Sequence, residues 1–225
     1  MSHNIGEKGT VMIEIQNLTK VFQEQTVLQN INATFDAGLI HGVIGKNGAG
    51  KTVLLRLLCG LMRPSKGQVI VDGKQLGKDV DFAPDAGIII ETPCFLPYLS
   101  GFQNLKELAS IRNIISKEEI AEAMEQVKLD PSSRKHVGKY SLGMRQRLGI
   151  AQAIMERPRY LILDEPMNGL DTQGMEDVRE LLQKQKETGV TVILASHSME
   201  DIRLLCDTVH RIQDASLIPC TTEFS

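Results

Sequence analysis

Along most of the chain, stretches in which apolar and polar residues alternate give way to stretches with helical periodicity. Val11 to Ile15 alternates like a half-buried strand, Asn17 to Lys20 reads as a turn, and Phe22 stands just past Val21. Asn30 to Phe35 alternates again, with Ile31, Ala33 and Phe35 on one face, and Asp36-Ala37-Gly38 is a turn. Leu39 to Ile44 is a compact apolar run, which predicts a strand buried on both faces. After Gly50 the period changes. Val53, Leu54, Leu57, Leu58 and Leu61 fall on one helical face, and Pro64 and Gly67 end that element. Gln68 to Val71 with Gly73 predicts a hairpin strand and its turn, and Gly87 to Ile90 predicts a further buried strand stopped by Pro93.

From Phe102 to about Met155 the pattern is nearly all helical. Ser116 and Glu119 have the spacing of a capping box, Pro131 opens a short segment, and Ser141 precedes a long amphipathic helix through Met155. Then follow a strand over Tyr160 to Leu163, a helix over Gln173 to Lys186, a strand over Val190 to Ala195 and a helix over Ser198 to Cys206. Strands alternating with helices predict an α/β fold with a mostly parallel sheet. The strand-and-turn beginning predicts an antiparallel β-subdomain at the N-terminus. The helical middle predicts a subdomain inserted over residues 92–155 into a core formed by 1–91 and 156–213. Residues 214–225 form a tail without a clear pattern.

Composition narrows the classes. The 225 residues are 42% apolar and 24% charged, which excludes a disordered or fibrous chain and allows a sizeable core. A net charge of −3 gives no overall attraction to nucleic acid or anionic lipid. Cys59, Cys94, Cys206 and Cys220 form no C-x-x-C pair and are read as buried, reduced thiols in a reducing, cytoplasmic compartment. Met1 to Thr10 lacks the apolar core of a signal peptide, and no apolar run reaches the roughly 18 residues of a membrane span. Any service to a membrane would therefore run through a partner.

Candidate chemistry begins at Gly45-Lys46-Asn47-Gly48-Ala49-Gly50-Lys51-Thr52, followed by Val53. It matches G-x-x-x-x-G-K-[ST] between an apolar strand and a helix, the context such a phosphate loop requires. The glycines let backbone N–H groups close on phosphate oxygens, where the helix dipole also favours an anion. Lys51 suits the β- and γ-phosphates, and the Thr52 hydroxyl suits Mg²⁺. A second motif, Tyr160-Leu161-Ile162-Leu163-Asp164-Glu165, ends an apolar strand in two carboxylates. In a parallel sheet both emerge at the edge that carries the phosphate loop. There Asp164 suits Mg²⁺ and Glu165 suits a general base, whereas alone the pair would equally fit an acidic helix start before Pro166.

With these motifs the sequence resembles the ATP-binding subunits of ABC transporters, from about Met12 to about Arg211. Tyr140-Ser141-Leu142-Gly143-Met144-Arg145-Gln146-Arg147 stands in the place of the family signature. The resemblance implies that Ser141 and Gly143 meet the ATP held by a second subunit, while Ser141 also serves as a helix cap. Leu142 and Met144 depart from the usual glycine and glutamine. Pro166-Met167-Asn168-Gly169-Leu170-Asp171 resembles the D-loop, whose Asp171 would cross a dimer interface, and Ser196-His197 resembles the switch histidine. Phe22 resembles the aromatic that stacks on adenine, although packing after a strand explains it as well.

Where the family has a glutamine this chain has Glu91, which the resemblance makes a third oxygen ligand for Mg²⁺. Together with Tyr-Ser-Leu-Gly-Met-Arg-Gln-Arg-Leu-Gly and Asn-Gly-Leu-Asp, it resembles the bacitracin and lantibiotic transporter subgroup; the other reading is a neutral substitution. The resemblance implies a P-loop ATPase that works as a head-to-tail dimer with an integral membrane permease, at the cytoplasmic face of the membrane, using ATP and Mg²⁺ and no nucleic acid. It would power export of, or resistance to, antimicrobial peptides. The rival is a soluble ATPase of the same family acting on ribosomes or DNA, which usually has two cassettes or a long coiled-coil insertion. Another is a peptide-sensing or regulatory module that binds ATP without turnover, against which both Glu165 and His197 argue.

Overall fold

The computed structural model describes residues 13–220. Val11 and Met12 of the first predicted strand, the polar N-terminal segment and residues 221–225 of the predicted tail lie outside the described residues. Strand β1 (Ile13–Phe22) runs unbroken through the predicted turn at Asn17 to Lys20. Asn17 adopts a left-handed φ of 49°. The pairing with β2 (Gln25–Phe35) therefore slips between Ile15 and Leu18 instead of ending. A bulge of this kind adds a residue and bends the strand without breaking the ladder. Strands β3 (Ile40–Gly45), β4 (Lys66–Val71) and β5 (Lys74–Gln75) follow. An antiparallel sheet of order β2-β1-β4-β5 results.

The second sheet adds β6 (Ala86–Ile89), β7 (Tyr160–Asp164), β8 (Thr191–Ala195), β9 (Thr208–Gln213) and β10 (Ser216–Cys220), in the order β10-β9-β3-β8-β7-β6. All its neighbours are parallel except the edge pair β9–β10. These last two strands carry no sharp period. Val209 and Ile212, the buried positions of β9, are three residues apart, and β10 is mostly exposed.

Helix α1 (Lys51–Cys59) follows β3. Its Leu54, Leu55, Leu57 and Leu58 form one cluster with Ile13, Ile15 and Phe35 of the first sheet and with Ile162 and Ile193 of the second. The helix thus lies between the sheets, and each buried leucine contributes about 1.5–3 kcal/mol. Gly60 caps it at a φ of 82°, so Leu61, predicted on the buried face, falls past the helix and is exposed.

The predicted helical middle holds three helices: α2 (Gly101–Arg112), α3 (Lys117–Gln126) and α4 (Leu142–Ile154). Between α3 and α4 the only regular element is a single 3-10 turn at Val137–Lys139. The Ser116–Glu119 capping box forms, and Ser100 and Gln103 make another. Helices α5 (Thr172–Glu187) and α6 (Met199–Leu205) complete the order. Leu148 and Ile150 of α4 and Leu182 of α5 pack on Leu161, Leu163, Val192 and Leu194, covering the other face of the second sheet. Strands β3, β7 and β8 are therefore buried on both faces, which holds their carboxyl ends, and the loops that leave them, at one edge. Burial pushes the Cys59 and Cys206 thiols up to about 12, while Cys94, expected to be buried, is exposed.

Candidate active site

The loop between β3 and α1 depends on glycine. Gly48 and Gly50 have φ of 78° and 106°, and a Cβ on Gly50 would lie 2.9 Å from Val27 Cγ1. Gly50 leads directly into α1, so the first N–H groups of the helix face the loop. Lys51 is buried, and its Nζ donates to the carbonyl oxygens of Gly45 at 2.9 Å and Lys46 at 3.5 Å. Among the described residues no carboxylate pairs with it. Such a cation, held by carbonyls at the N-terminus of α1, is ready to receive an anion. Lys46, Asn47 and Gly48 are exposed, and Ala49, Thr52 and Val53 are half-buried.

The end of β7 comes to the same place. Thr52 Oγ1 donates to Asp164 Oδ2 at 2.5 Å. Glu165 has a left-handed φ of 49°, and its N–H donates to Ala195 O at the end of β8. Its Oε2 lies 2.7 Å from His197 Nδ1 and 3.3 Å from the His197 backbone N. Ser196, which precedes the histidine, is buried. Phosphate loop, Asp164, Glu165 and His197 are thus gathered at one sheet edge.

An open groove of about 540 Å³ runs from Phe22 past Gln25, Val27, Gly48, Lys51 and Thr52 to Asp164 and Glu165. Phe22 is 41% exposed and carries the Lys20 ammonium 4.8 Å from its ring centre. Gln25 and Val27 give no sequence motif, and only the β1–β2 pairing brings them to the groove.

Three expected site residues lie elsewhere. Ser141 caps α4, accepting from Met144 N at 3.1 Å. A Cβ on Gly143 would lie 2.9 Å from Gly169 O, and Asp171 caps α5 through Gly174 N at 2.9 Å. Ser141 and Asp171 are exposed, Gly143 is half-buried, and none of the three lines the groove. Buried Gln146, also unforeseen, donates to Pro166 O at 3.0 Å and so ties α4 to the loop after Glu165. Nor does Glu91 join Thr52 and Asp164. Its carboxylate is 2.6 Å from Arg56 Nη2.

The pair Thr52 Oγ1 and Asp164 Oδ2 fits Mg²⁺ by donor chemistry, since both are hard oxygens and one is a carboxylate.

The family model described as "ABC transporter" matches residues 28–168. A relative from Bacillus subtilis (strain 168), an uncharacterized ABC transporter ATP-binding protein called YybJ, is 47% identical over 87% of this chain and 90% of its own. The bacitracin transport ATP-binding protein BcrA of Enterococcus faecalis is 41% identical over 92% of this chain and 68% of its own. The solved structure of an ATP-binding subunit of an ABC transporter superposes with a TM-score of 0.84 at 26% identity, covering 94% of this chain and 90% of that one.

Proposed function

The chain belongs to the ABC transporter family, and from that premise we propose that it hydrolyses ATP to power export of, or resistance to, antimicrobial peptides such as bacitracin or lantibiotics. It is the ATP-binding subunit of a transporter. The observation that carries the mechanism is the convergence of Lys51, Thr52, Asp164 and Glu165 on one groove, with His197 held against Glu165. Adenine stacks on Phe22 and the triphosphate lies along residues 45–53. Lys51 leaves its two carbonyls for the β- and γ-phosphate oxygens. Thr52, Asp164 and Glu91 would hold Mg²⁺. When bound, that ion would neutralise charge on the phosphates.

Glu165 accepts a proton from the attacking water, whose oxygen bonds to the γ-phosphorus as the bond to the β-phosphate oxygen breaks. His197, 2.7 Å from Glu165, holds that carboxylate and the water in line. The products are ADP and inorganic phosphate. Ser141 and Gly143, which lie off the groove, serve the ATP of a second copy, Asp171 crosses the interface between the copies, and head-to-tail pairing gives two equivalent sites.

The segment 92–155 acts as an inserted subdomain which, with the loop from Glu91 to Gly101, meets an integral membrane permease. Among the described residues no helix is long and apolar enough to cross a membrane. Attachment to the cytoplasmic face is therefore through that permease. The relative named for bacitracin transport supports the peptide reading. Co-purification with the permease, then ATPase measurement with added bacitracin or a lantibiotic, tests it. Stimulation by peptide is expected, and rates indifferent to every peptide would contradict it.

A further inference from the structure

Arg56 and Glu91 form an ion pair that the site chemistry so far leaves without a role. Arg56 lies four residues after Thr52 on α1, so the two side chains share a helix face one turn apart. Glu91 leaves the sheet beside the other metal donor. The β6–β7 register pairs Ile89 with Leu163, so the chain reaches position 91 as the neighbouring strand passes Asp164. The Glu91 backbone has a φ of 63°, a conformation sparsely populated by residues other than glycine. Its side chain is 62% exposed and that of Arg56 35%, with 2.6 Å between Nη2 and Oε1. An ion pair this exposed is weak and easily exchanged.

We propose that Arg56 is a positioning residue, a latch that holds the Glu91 carboxylate away from the Thr52–Asp164 donor pair until metal and nucleotide arrive. The proposal rests on the reading of Glu91 as a Mg²⁺ ligand. The Glu91 carboxylate, held by a guanidinium one helical turn from Thr52, has two cationic destinations, the guanidinium or the divalent ion, and cannot serve both. Loading the metal then means breaking the pair, and this links the ATP site to the loop after β6. Glutamine at position 91 would carry no charge, so the arginine would hold it less strongly.

The test compares the parent chain with Arg56→Gln, Arg56→Lys, Glu91→Gln and the double variant Arg56→Gln/Glu91→Gln. The quantity read is the Mg²⁺ concentration at half-maximal binding of a fluorescent, non-hydrolysable ATP analogue. Arg56→Gln should lower that concentration about two- to fivefold, the span of an exposed ion pair. Arg56→Lys, which keeps the charge, should stay nearer the parent. Glu91→Gln should raise it, and adding Arg56→Gln to Glu91→Gln should change nothing further. An equal lowering with and without Glu91, or no lowering at all, overturns the latch while leaving Glu91 as a ligand. No effect of Glu91→Gln would instead remove the metal-ligand reading and the latch with it.

Discussion

At Lys51 a buried ammonium has, among the described residues, two carbonyl oxygens for partners. Hydrogen bonds between charged groups contribute about 1.5–3 kcal/mol each, so Lys51→Ala should weaken ATP binding by roughly ten- to a hundredfold. The fold should survive, because the ammonium faces the loop while Leu54, Leu55, Leu57 and Leu58 anchor the helix. Isothermal titration with ATP and Mg²⁺ gives the value. Unchanged affinity would put the nucleotide elsewhere. The phosphate loop and the Asp164-Glu165 pair were legible because both are local in the chain and stand beside strands with a clear apolar pattern. The Arg56–Glu91 pair was not, since its members are 35 positions apart and neither lies in a motif that names the other. The groove wall at Gln25 and Val27 was hidden for the same reason.

At the scale of elements, α4 and β6 meet with no room for a side chain between them. A Cβ on Gly87 would lie 1.9 Å from the Ala153 carbonyl oxygen and 2.9 Å from Leu161 Cδ2. Gly87→Ala must therefore push α4 off the sheet or bend β6, an overpacking that costs about 1–3 kcal/mol or more. Urea unfolding should show it as a lower midpoint, and an unchanged midpoint would mean that the helix sits farther out. The same contact lies next to the loop that leads to Glu91, so the nucleotide-bound form should suffer too. Where one period ran through an element, as in β3, β7, β8 and α5, the pattern found it. It failed where backbone conformation overrode the period: Asn17 carried β1 through an apparent turn, and Gly60 stopped α1 before Leu61. It also missed β9 and β10, which are recognisable only beside β3.

Across the whole molecule, the two sheets join at Phe35 of β2. Its ring meets His41 of β3 and His210 of β9 edge-on, at 5.3 and 5.2 Å between ring centres. His41 is held by Thr208 Oγ1 at 2.7 Å and Asp36 O at 2.8 Å, whereas His210 Nδ1 has no hydrogen-bond partner among the described residues. Burial lowers both imidazoles from their ordinary value of 6.5, and for His210 the neighbouring His41 adds to the effect. Below about pH 6.5 the unfolded chain takes up protons that the folded chain refuses. Stability is thus fully present above that pH and falls as acid brings the solution toward the lowered values. Urea midpoints between pH 7.5 and 5.5 should drop, and His210→Leu should flatten that drop. An equal drop in the variant would exonerate His210.

On the proposed mechanism, two copies close head-to-tail on ATP and Glu165 drives the hydrolysis that releases them. Ser141 and Asp171 are exposed and off the groove, positions free to meet a second copy. Glu165→Gln removes the base and keeps the shape, and turnover should fall about 10²- to 10⁴-fold. With hydrolysis blocked, ATP and Mg²⁺ should hold the variant as a dimer in size-exclusion chromatography, while the nucleotide-free variant runs as a monomer. A variant that stays monomeric with saturating ATP and still hydrolyses at the parent's rate would contradict both the role of Glu165 and the shared sites.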